Sequence, residues 1–293
     1  MTNNLKLFFT IIFCIFFSAA KSQDNSELQR MADDDQKSRM ASNIDWKILN
    51  KEDSIRREKV LEFIDKGELK TAKDYFNAGI IFQHGNDTIS SKLAVDNFAK
   101  ALEMDDTLNR WWYAAAVDRD LMRRGKPQIY GTQFIKNKTT NGKWIRYDID
   151  TTKVTDEQRR YYRVETLAEQ IEKERVMNLK SLSEIYKNEK SFSKILRLIK
   201  SEHKKGIKSE YNVNENVINS FGYQLLNEKK NEEALKIFKL NTVLYPNGFN
   251  TFDSYGEILL SQGKRKKGLK NYKKSLELNP ENENAIKVLE KYK

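Results

Sequence analysis

Apolar and small residues recur at a 34-residue interval in the last third of the chain. Two small residues, an aromatic residue and a proline stand at Gly222, Ala234, Phe238 and Pro246, and again at Gly256, Gly268, Tyr272 and Pro280. Large apolar residues repeat as well, at Ile218, Phe221 and Leu225 and then at Phe252, Tyr255 and Leu259. Small residues let two antiparallel helices approach closely, the large ones fill the space between them, and the proline ends the second helix. The pattern predicts two stacked helical hairpins within residues 213–293.

This pattern resembles the tetratricopeptide repeat (TPR), and it departs from that family at Gly268 and at Asn241 and Ser275, where alanine is preferred. Ile218 and Phe221 are positions 4 and 7 of the 34-residue unit. Ile286 and Leu289 take the same positions in a truncated third unit, as expected of a capping helix. The resemblance implies a groove, lined by the first helices, for a protein or peptide partner. The groove residues are Asn216, Asn219, Tyr223, Leu226 and Asn227 in the first repeat and Asn250, Asp253, Glu257, Leu260 and Ser261 in the second.

The composition of this groove excludes one ligand type. Family members that clamp the carboxylate of a chaperone tail use lysine at position 5 and asparagine at position 9. Here those positions hold Asn219, Tyr223, Asp253 and Glu257. The alternative to partner binding is that the two repeats, which bury little core of their own, only cap the preceding domain.

Residues 171–212 are predicted to form basic connecting helices. Between residues 173 and 208 there are eleven Lys or Arg against four Glu, in a chain of formal net charge +11. Aliphatic residues recur there at helical spacing, at Ile195, Leu196, Leu198 and Ile199. They predict an amphipathic helix with a basic polar face. That face is either simply solvated or binds an anionic envelope surface, an acidic polysaccharide or an acidic protein. Nucleic acid is not expected, because no recognition motif accompanies the charge.

Residues 23–170 are predicted to form a mainly helical domain, since glycine and proline are scarce and the helical pattern is interrupted only after Pro127. Two strand-like runs flank a polar loop with Asn141-Gly142, which predicts a β-hairpin with a left-handed turn near residues 131–149. Ahead of it, Ala94, Phe98 and Trp112 fit the 34-residue register loosely, so a repeat-like and a generic helical hairpin both stay open. The expected fold class is mainly α: a helical domain with one β-hairpin, followed by an α-solenoid.

Polar motifs run through this domain. They are Asp34-Asp35-Gln36 with Arg39, Gln83-His84-Gly85, Asp118-Arg119, the block Gly-Lys-Pro-Gln-Ile-Tyr-Gly-Thr-Gln-Phe over residues 125–134, and Asp156 with Arg159-Arg160. On these residues, the chain from about Met31 to Glu169 resembles a bacterial family of domains of unknown function. A Gly-Trp-Pro element that members of that family often carry ahead of Gln-His-Gly is absent here. The resemblance implies no assigned activity.

Three roles are open for these motifs. In a hydrolase of an envelope polymer, His84 would act as acid or base, and the dipole of the helix that ends beside it would favour the protonated imidazole. Asp118 would orient the imidazole, and Arg119 would hold an anion. In a ligand pocket, the contacts would come from Gln83, His84, Arg119, Gln128 and Gln133. In a structural network, Asp118, Arg119 and the two glutamines would bond the hairpin backbone to the helices. Catalysis is the least favoured role, because the mature chain offers no recognisable nucleophile.

No metal or other cofactor is expected. Asp33, Asp34 and Asp35 lack the glycine and terminal glutamate of a calcium loop, and three acids at the start of a helix suit its positive dipole end. The mature chain also lacks cysteine, the soft ligand of many metal sites.

Residues 1–22 have the pattern of a secretory signal peptide: Lys6, an apolar run from Leu7 to Phe17, and then small residues. Eleven apolar residues are too few to span a bilayer, and cleavage near Ala20 to Ser22 would remove Cys14, the only cysteine. We therefore expect a secreted or periplasmic protein with no transmembrane segment or disulfide in its mature chain. Its expected role is protein–protein interaction or scaffolding in the bacterial envelope.

Overall fold

The computed structural model describes residues 23–189 and 191–292, which form two compact units. The first unit ends at Ile171 and the second begins at Glu172. The predicted signal peptide lies outside the described residues. The elements up to the division are α1 (Ser26–Arg39), α2 (Trp46–Asp65), α3 (Ala72–Phe82), α4 (Thr88–Met104), α5 (Trp111–Arg123), β1 (Phe134–Ile135), β2 (Ile145–Arg146), α6 (Asp156–Tyr161) and α7 (Leu167–Met177), which contains it. The later helices are α8 (Leu182–Glu189), α9 (Phe192–Lys205), α10 (Glu215–Asn227), α11 (Asn231–Leu244), α12 (Phe249–Ser261), α13 (Arg265–Leu278) and α14 (Glu283–Lys291).

Helices α1, α2 and α4 pack around α3 in the first unit, and α5 packs against α4. Side-chain oxygens cap the first turns of α1 to α4, from Asn25, Asp45, Thr71 and Asp87. Such caps satisfy backbone N–H groups that have no partner inside the helix. In α3 every residue from 77 to 82 is buried. The core formed around it includes Leu28, Val60, Phe63, Ile81, Phe82 and Phe98.

Helices α3 and α4 meet at a glycine, as the helices of the predicted repeats do. A β-carbon on Gly79 would lie 2.7 Å from the Phe98 ring, and one on Gly222 would lie 2.7 Å from the Phe238 ring. Trp112 of α5 stacks on Phe98, with ring centroids 6.1 Å apart. The first unit therefore contains a hairpin with the close glycine–aromatic packing of a repeat.

The predicted β-hairpin is present, but its strands are short. Phe134 pairs with Arg146 and Ile135 with Ile145 in antiparallel register, and the turn has left-handed backbone at Asn141 (φ 51°) and Gly142 (φ 71°). Regular pairing stops before Phe134 because the preceding loop bonds to buried side chains, as described below.

The second unit contains the predicted repeats as α10–α11 and α12–α13. A β-carbon on Gly256 would lie 2.9 Å from the Tyr272 ring, which reproduces the contact at Gly222 one repeat earlier. The two polar residues that stand where the TPR family prefers alanine make equivalent hydrogen bonds in the two repeats. Asn241 Nδ2 donates to the Glu215 carbonyl at 3.1 Å, and Ser275 Oγ donates to the Phe249 carbonyl at 2.9 Å, the same position 34 residues on. Both polar residues therefore fasten a second helix to the first turn of its partner.

The basic segment adds a further helical hairpin to this unit. Leu182 and Tyr186 of α8 and Ile195 and Ile199 of α9 are buried in one core with α10 and α11. This confirms the predicted amphipathic face. The opposite face of α9 exposes Arg197, Lys200 and Lys204, which have no carboxylate partner within the described part of the chain.

The last helix differs from its prediction by one residue. Ala285 is the fully buried residue of α14, whereas Ile286 is 36% exposed. The last helix packs through one face only, and a small residue is enough at that contact. Over so short a segment, the periodicity of apolar residues did not distinguish Ala285 from Ile286 as the buried residue. Across residues 23–189 and 191–292, no helix is both long and apolar enough to cross a membrane.

Candidate functional site

Asp118 on α5 fixes the path of the loop that leads to β1. Its carboxylate is fully buried and accepts four backbone N–H bonds, each 2.9 Å long, from residues 129–132. The Thr132 hydroxyl adds a fifth bond of 2.8 Å. Hydrogen bonds to a charged acceptor are stronger than those between neutral groups. Both carboxylate oxygens of Asp118 are therefore occupied by hydrogen bonds from this loop.

Gln128 and Gln133, predicted to bind a ligand, are bonded inside the fold. The Gln128 amide donates to the carbonyls of Gln133 (3.0 Å) and Tyr147 (2.8 Å), and its oxygen accepts from the Gln133 backbone N–H (2.9 Å). The Gln133 amide donates to the Ala115 carbonyl (3.3 Å) and to the Thr132 hydroxyl (2.9 Å). These bonds tie both strands to α5, as the structural-network interpretation predicts.

Two further buried side chains complete this network. Arg159 donates to the loop carbonyls of Ile129, Tyr130 and Val154 at 3.0, 3.1 and 2.7 Å. Gln170 donates to the Tyr130 carbonyl at 2.8 Å. A β-carbon on Gly131 (φ 94°) would lie 1.9 Å from Gln170 Oε1, so this position requires glycine both for its backbone and for space. Arg159 belongs to a sequence motif to which no role was assigned, and no local pattern marks Gln170.

Gln83, His84 and Arg119 form a separate group at the end of α3. Gln83 is 2% exposed, and its side-chain oxygen accepts from Arg119 Nη1 at 2.8 Å. Its backbone carbonyl accepts from Arg123 Nη2 at 3.3 Å. Three of the predicted ligand-binding residues therefore lie together, whereas Gln128 and Gln133 belong to the loop network.

An ion-pair network borders this group on one side. Arg39 bridges Asp35 (2.8 Å) and Asp53 (2.6 Å), and Arg56 pairs with Asp53 at 3.0 Å. His84 Nε2 lies 3.4 Å from Asp35 Oδ2 without making a hydrogen bond. The prediction that Asp33, Asp34 and Asp35 begin a helix is wrong, because Asn25 caps α1 well before them. Asp53, Arg56 and Arg123 were missed, since nothing in the sequence links them across separate helices.

Burial dominates the electrostatics of the group. Burial raises the pKa of Asp35 to about 6, although the charge of Arg39 opposes the shift. Burial, and next the positive charges of Arg39 and Arg119, lowers the pKa of His84 to about 3. The imidazole is therefore neutral at physiological pH, contrary to the expectation that the helix end would favour its cation. Burial, with the neighbouring Arg123 and Arg39, lowers the pKa of Arg119 to about 10, so the guanidinium stays charged at neutral pH.

The hydrolase hypothesis requires Asp118 to orient His84. The two carboxylate oxygens of Asp118 are instead taken by five donors of the loop, and Asp35 is the acid beside the imidazole. His84, Asp118 and Arg119 thus do not assemble as one catalytic group.

The predicted repeat groove is partly bonded within the chain. In the second repeat, Asp253 accepts from Asn282 (2.7 Å) and Asn284 (2.8 Å), and Glu257 accepts from the Tyr223 hydroxyl. In the first repeat, Asn219 occupies the position of Asp253 and is 8% exposed, but its side-chain oxygen has no partner in the part of the chain that the structure describes. The remaining groove positions are exposed at Asn216, Asn227 and Ser261 and half-buried at Leu226, Asn250 and Leu260.

Two solved structures similar to this chain are TPR proteins. One is the crystal structure of YrrB, described as a TPR protein with an unusual peptide-binding site; it is 16% identical, with a TM-score of 0.28, over 80% of this chain and 99% of that one. The other is the TPR domain of P58(IPK), 9% identical with a TM-score of 0.28, over 90% of this chain and 64% of that one. No protein-family model and no curated protein matches the sequence. At this level of similarity, the chain's own contacts, recurring every 34 residues, define its repeats.

Proposed function

We propose that this chain is an exported interaction protein whose repeat groove, lined by α10 and α12, binds an extended peptide segment of a partner protein. Two amide side chains of the groove, Asn219 in the first repeat and Asn250 in the second, carry this proposal. Asn219 has a buried side-chain oxygen without a donor, and Asn250 has an amide that makes no hydrogen bond with another described residue. An unpaired buried oxygen costs free energy, on the order of 1–3 kcal/mol, which a ligand with a suitable donor would recover.

The two repeats differ at these positions in an informative way. Asn282 and Asn284 bond Asp253 in the second repeat, and the residues 34 positions earlier are Gly248 and Asn250. The helix α14 side of the array is thus closed by bonds within the chain. Asn219 and Asn250, which hold the corresponding positions one unit earlier, stay available to a partner.

The chemistry of the groove favours a peptide backbone. An asparagine amide presents a donor and an acceptor together, which match the C=O and N–H of an extended chain. Asn216 and Asn227 add two exposed amides on the same helix, and Tyr223 offers an aromatic face beside them.

Export to the bacterial envelope is a separate part of the proposal. It is supported by the signal-peptide pattern of residues 1–22. The exposed basic face of α9, formed by Arg197, Lys200 and Lys204, supports contact with an anionic envelope surface. Mass determination of the protein recovered from the envelope fraction tests export: a mature start near residues 21–23 is expected, and an intact Met1 would contradict it.

A peptide selection tests the binding proposal. A displayed library of random peptides is selected on residues 23–293, and the affinity of the enriched peptides is measured by fluorescence anisotropy. The double variant Asn219→Ala/Asn250→Ala should weaken binding by about tenfold or more, because two paired amides are lost. The matched control is Asn271→Ala, whose amide bonds only to Lys267 of its own helix, at 2.9 Å. No enriched peptide, or equal loss in the control, would refute groove binding.

A further inference from the structure

Four buried side-chain nitrogens of the first unit have no hydrogen-bond partner among the described residues. They are Arg57 Nη1, Gln83 Nε2, His84 Nε2 and Arg123 Nη1. The other buried atoms without a partner in the described residues are two oxygens of the second unit, on Asn219 and Asn241. Most buried polar atoms in folded proteins are paired. Three of the four, on Arg57, Gln83 and Arg123, can only donate, so together they indicate that an acceptor belongs beside them.

These nitrogens surround one turn, the Gln83-His84-Gly85 segment between α3 and α4. Arg123 bonds the Gln83 carbonyl at 3.3 Å, and Arg119 holds the Gln83 side-chain oxygen at 2.8 Å, which leaves the amide NH₂ as its free end. On the other side, a β-carbon on Gly85 would lie 3.3 Å from Arg57 Cδ. The turn thus brings donors from α2, α3 and α5 to one place.

The same place carries an excess of positive charge. Within residues 23–189 and 191–292, no carboxylate lies within ion-pair distance of Arg57, Arg119 or Arg123. Asp87, whose charge acts on Arg57 and Arg123, caps α4 through the N–H groups of residues 89 and 90 and offsets part of this charge. Asp120 pairs with Arg124 at 2.8 Å. Asp35 and Asp53 are neutralised by Arg39 and Arg56.

We propose that the Gln83-His84-Gly85 turn, with Arg57, Arg119 and Arg123, binds an oxyanion of the phosphate class. Guanidinium groups present pairs of N–H donors that match two oxygens of such an anion. The Gln83 amide adds a donor, and the neutral His84 adds an N–H in the tautomer protonated at Nε2. A phosphate carries enough charge to offset more than one arginine, whereas a carboxylate offsets only one. The site is independent of the repeat groove.

Calorimetric titration of residues 23–293 tests the site with two probes, inorganic phosphate and glycerol 1-phosphate, at constant ionic strength in chloride. Acetate serves as the carboxylate comparison. Arg123→Met removes the guanidinium group and keeps an aliphatic side chain, and it should weaken phosphate binding by about tenfold or more. Arg124→Met is the matched control, because this exposed neighbour bonds Asp120 and Thr88 instead.

The results separate the possibilities. Saturable binding of either phosphate probe that is lost in Arg123→Met and kept in Arg124→Met supports the site, and the tighter probe identifies free phosphate or a phosphate ester as the ligand. The melting temperature without phosphate gives a second readout: Arg123→Met should melt at the wild-type temperature or higher, since repulsion between arginines is relieved. The absence of phosphate binding in the wild type, equal binding in Arg123→Met, or acetate binding as tight as phosphate binding would overturn the proposal.

Discussion

Asp118 and Arg119 are neighbours on α5 that serve different parts of the first unit. The Asp118 carboxylate accepts five hydrogen bonds from the loop before β1, and the Arg119 guanidinium donates to Gln83 at the end of α3. A motif that is continuous in sequence is therefore divided in space into a structural half and a half that borders the proposed anion site.

This division predicts unequal effects on stability. Asp118→Asn turns one acceptor into a donor facing N–H groups, and we expect it to lower the free energy of unfolding by about 3–5 kcal/mol. Arg119→Met should cost less than about 1 kcal/mol, because only the Gln83 bond is lost. Urea denaturation of residues 23–293 measures both. Equal losses in the two variants would show that Arg119 is part of the structural network.

The glycine contacts predict that small additions are destabilising in both units. Gly79→Ala and Gly222→Ala each place a β-carbon 2.7 Å from an aromatic ring, so we expect each to cost about 1–3 kcal/mol despite the better helix propensity of alanine. Gly222→Ala should cost less in a Phe238→Leu background than in the wild type, because the smaller side chain leaves room for the added β-carbon. Thermal unfolding checks this, and stabilisation by either single alanine would contradict the packing.

Asn219 and Asp253 occupy the same repeat position and should respond differently to truncation. Asn219→Ala removes a buried oxygen without a donor, so stability should stay the same or rise by up to about 1 kcal/mol. Asp253→Ala strands the amide of Asn284 and leaves that of Asn282 only its bond to Ser275 Oγ, so it should cost about 1–3 kcal/mol. Urea denaturation gives both values. A larger loss for Asn219→Ala would mean that this residue serves the fold rather than a partner.

The low pKa of His84 predicts how stability depends on pH. Between the folded value of about 3 and the unfolded value of 6.5, only the unfolded chain binds the proton, so the His84 contribution to stability is present above pH 6.5 and is lost as pH falls. His84→Gln should therefore gain on the wild type by on the order of 2 kcal/mol when the pH is lowered from 7 to 5. The raised pKa of Asp35 acts in the opposite direction and is common to both proteins, so it cancels in the difference. A pH-independent difference in urea midpoints would contradict the neutral imidazole.

The basic face of α9 predicts binding to anionic vesicles. Replacing Arg197, Lys200 and Lys204 with glutamine should lower partitioning onto phosphatidylglycerol vesicles on the order of 100-fold, since each basic side chain near the surface contributes about 1 kcal/mol. The matched control replaces three exposed lysines of α13, at residues 266, 267 and 270, with the same change of net charge. Sedimentation with vesicles compares the two. Loss of binding in the control alone would assign the membrane contact to α13.

The repeats and the hairpin could be predicted because their signals are local. The spacing from Gly222 to Phe238 lies within one helical pair and returns 34 residues later. The turn of the β-hairpin is marked by Asn141-Gly142 alone. The anion site could not be assembled in this way, because Arg57 and Arg123 reach the Gln83 turn from separate helices and no sequence interval records their contact. Three acids in a row suggested a helix start, whereas Asp35 lies in the middle of α1, where Arg39, one turn further on, links it to Asp53 of α2.

Hydrogen–deuterium exchange of residues 23–293, with and without a peptide selected on the protein, tests most directly whether the groove binds a partner. Peptide bound along α10 and α12 should slow amide exchange in residues 215–227 and 249–261, and Asn219→Ala/Asn250→Ala should abolish that protection. Protection confined to α11 and α13, or to the first unit, would contradict the proposed groove.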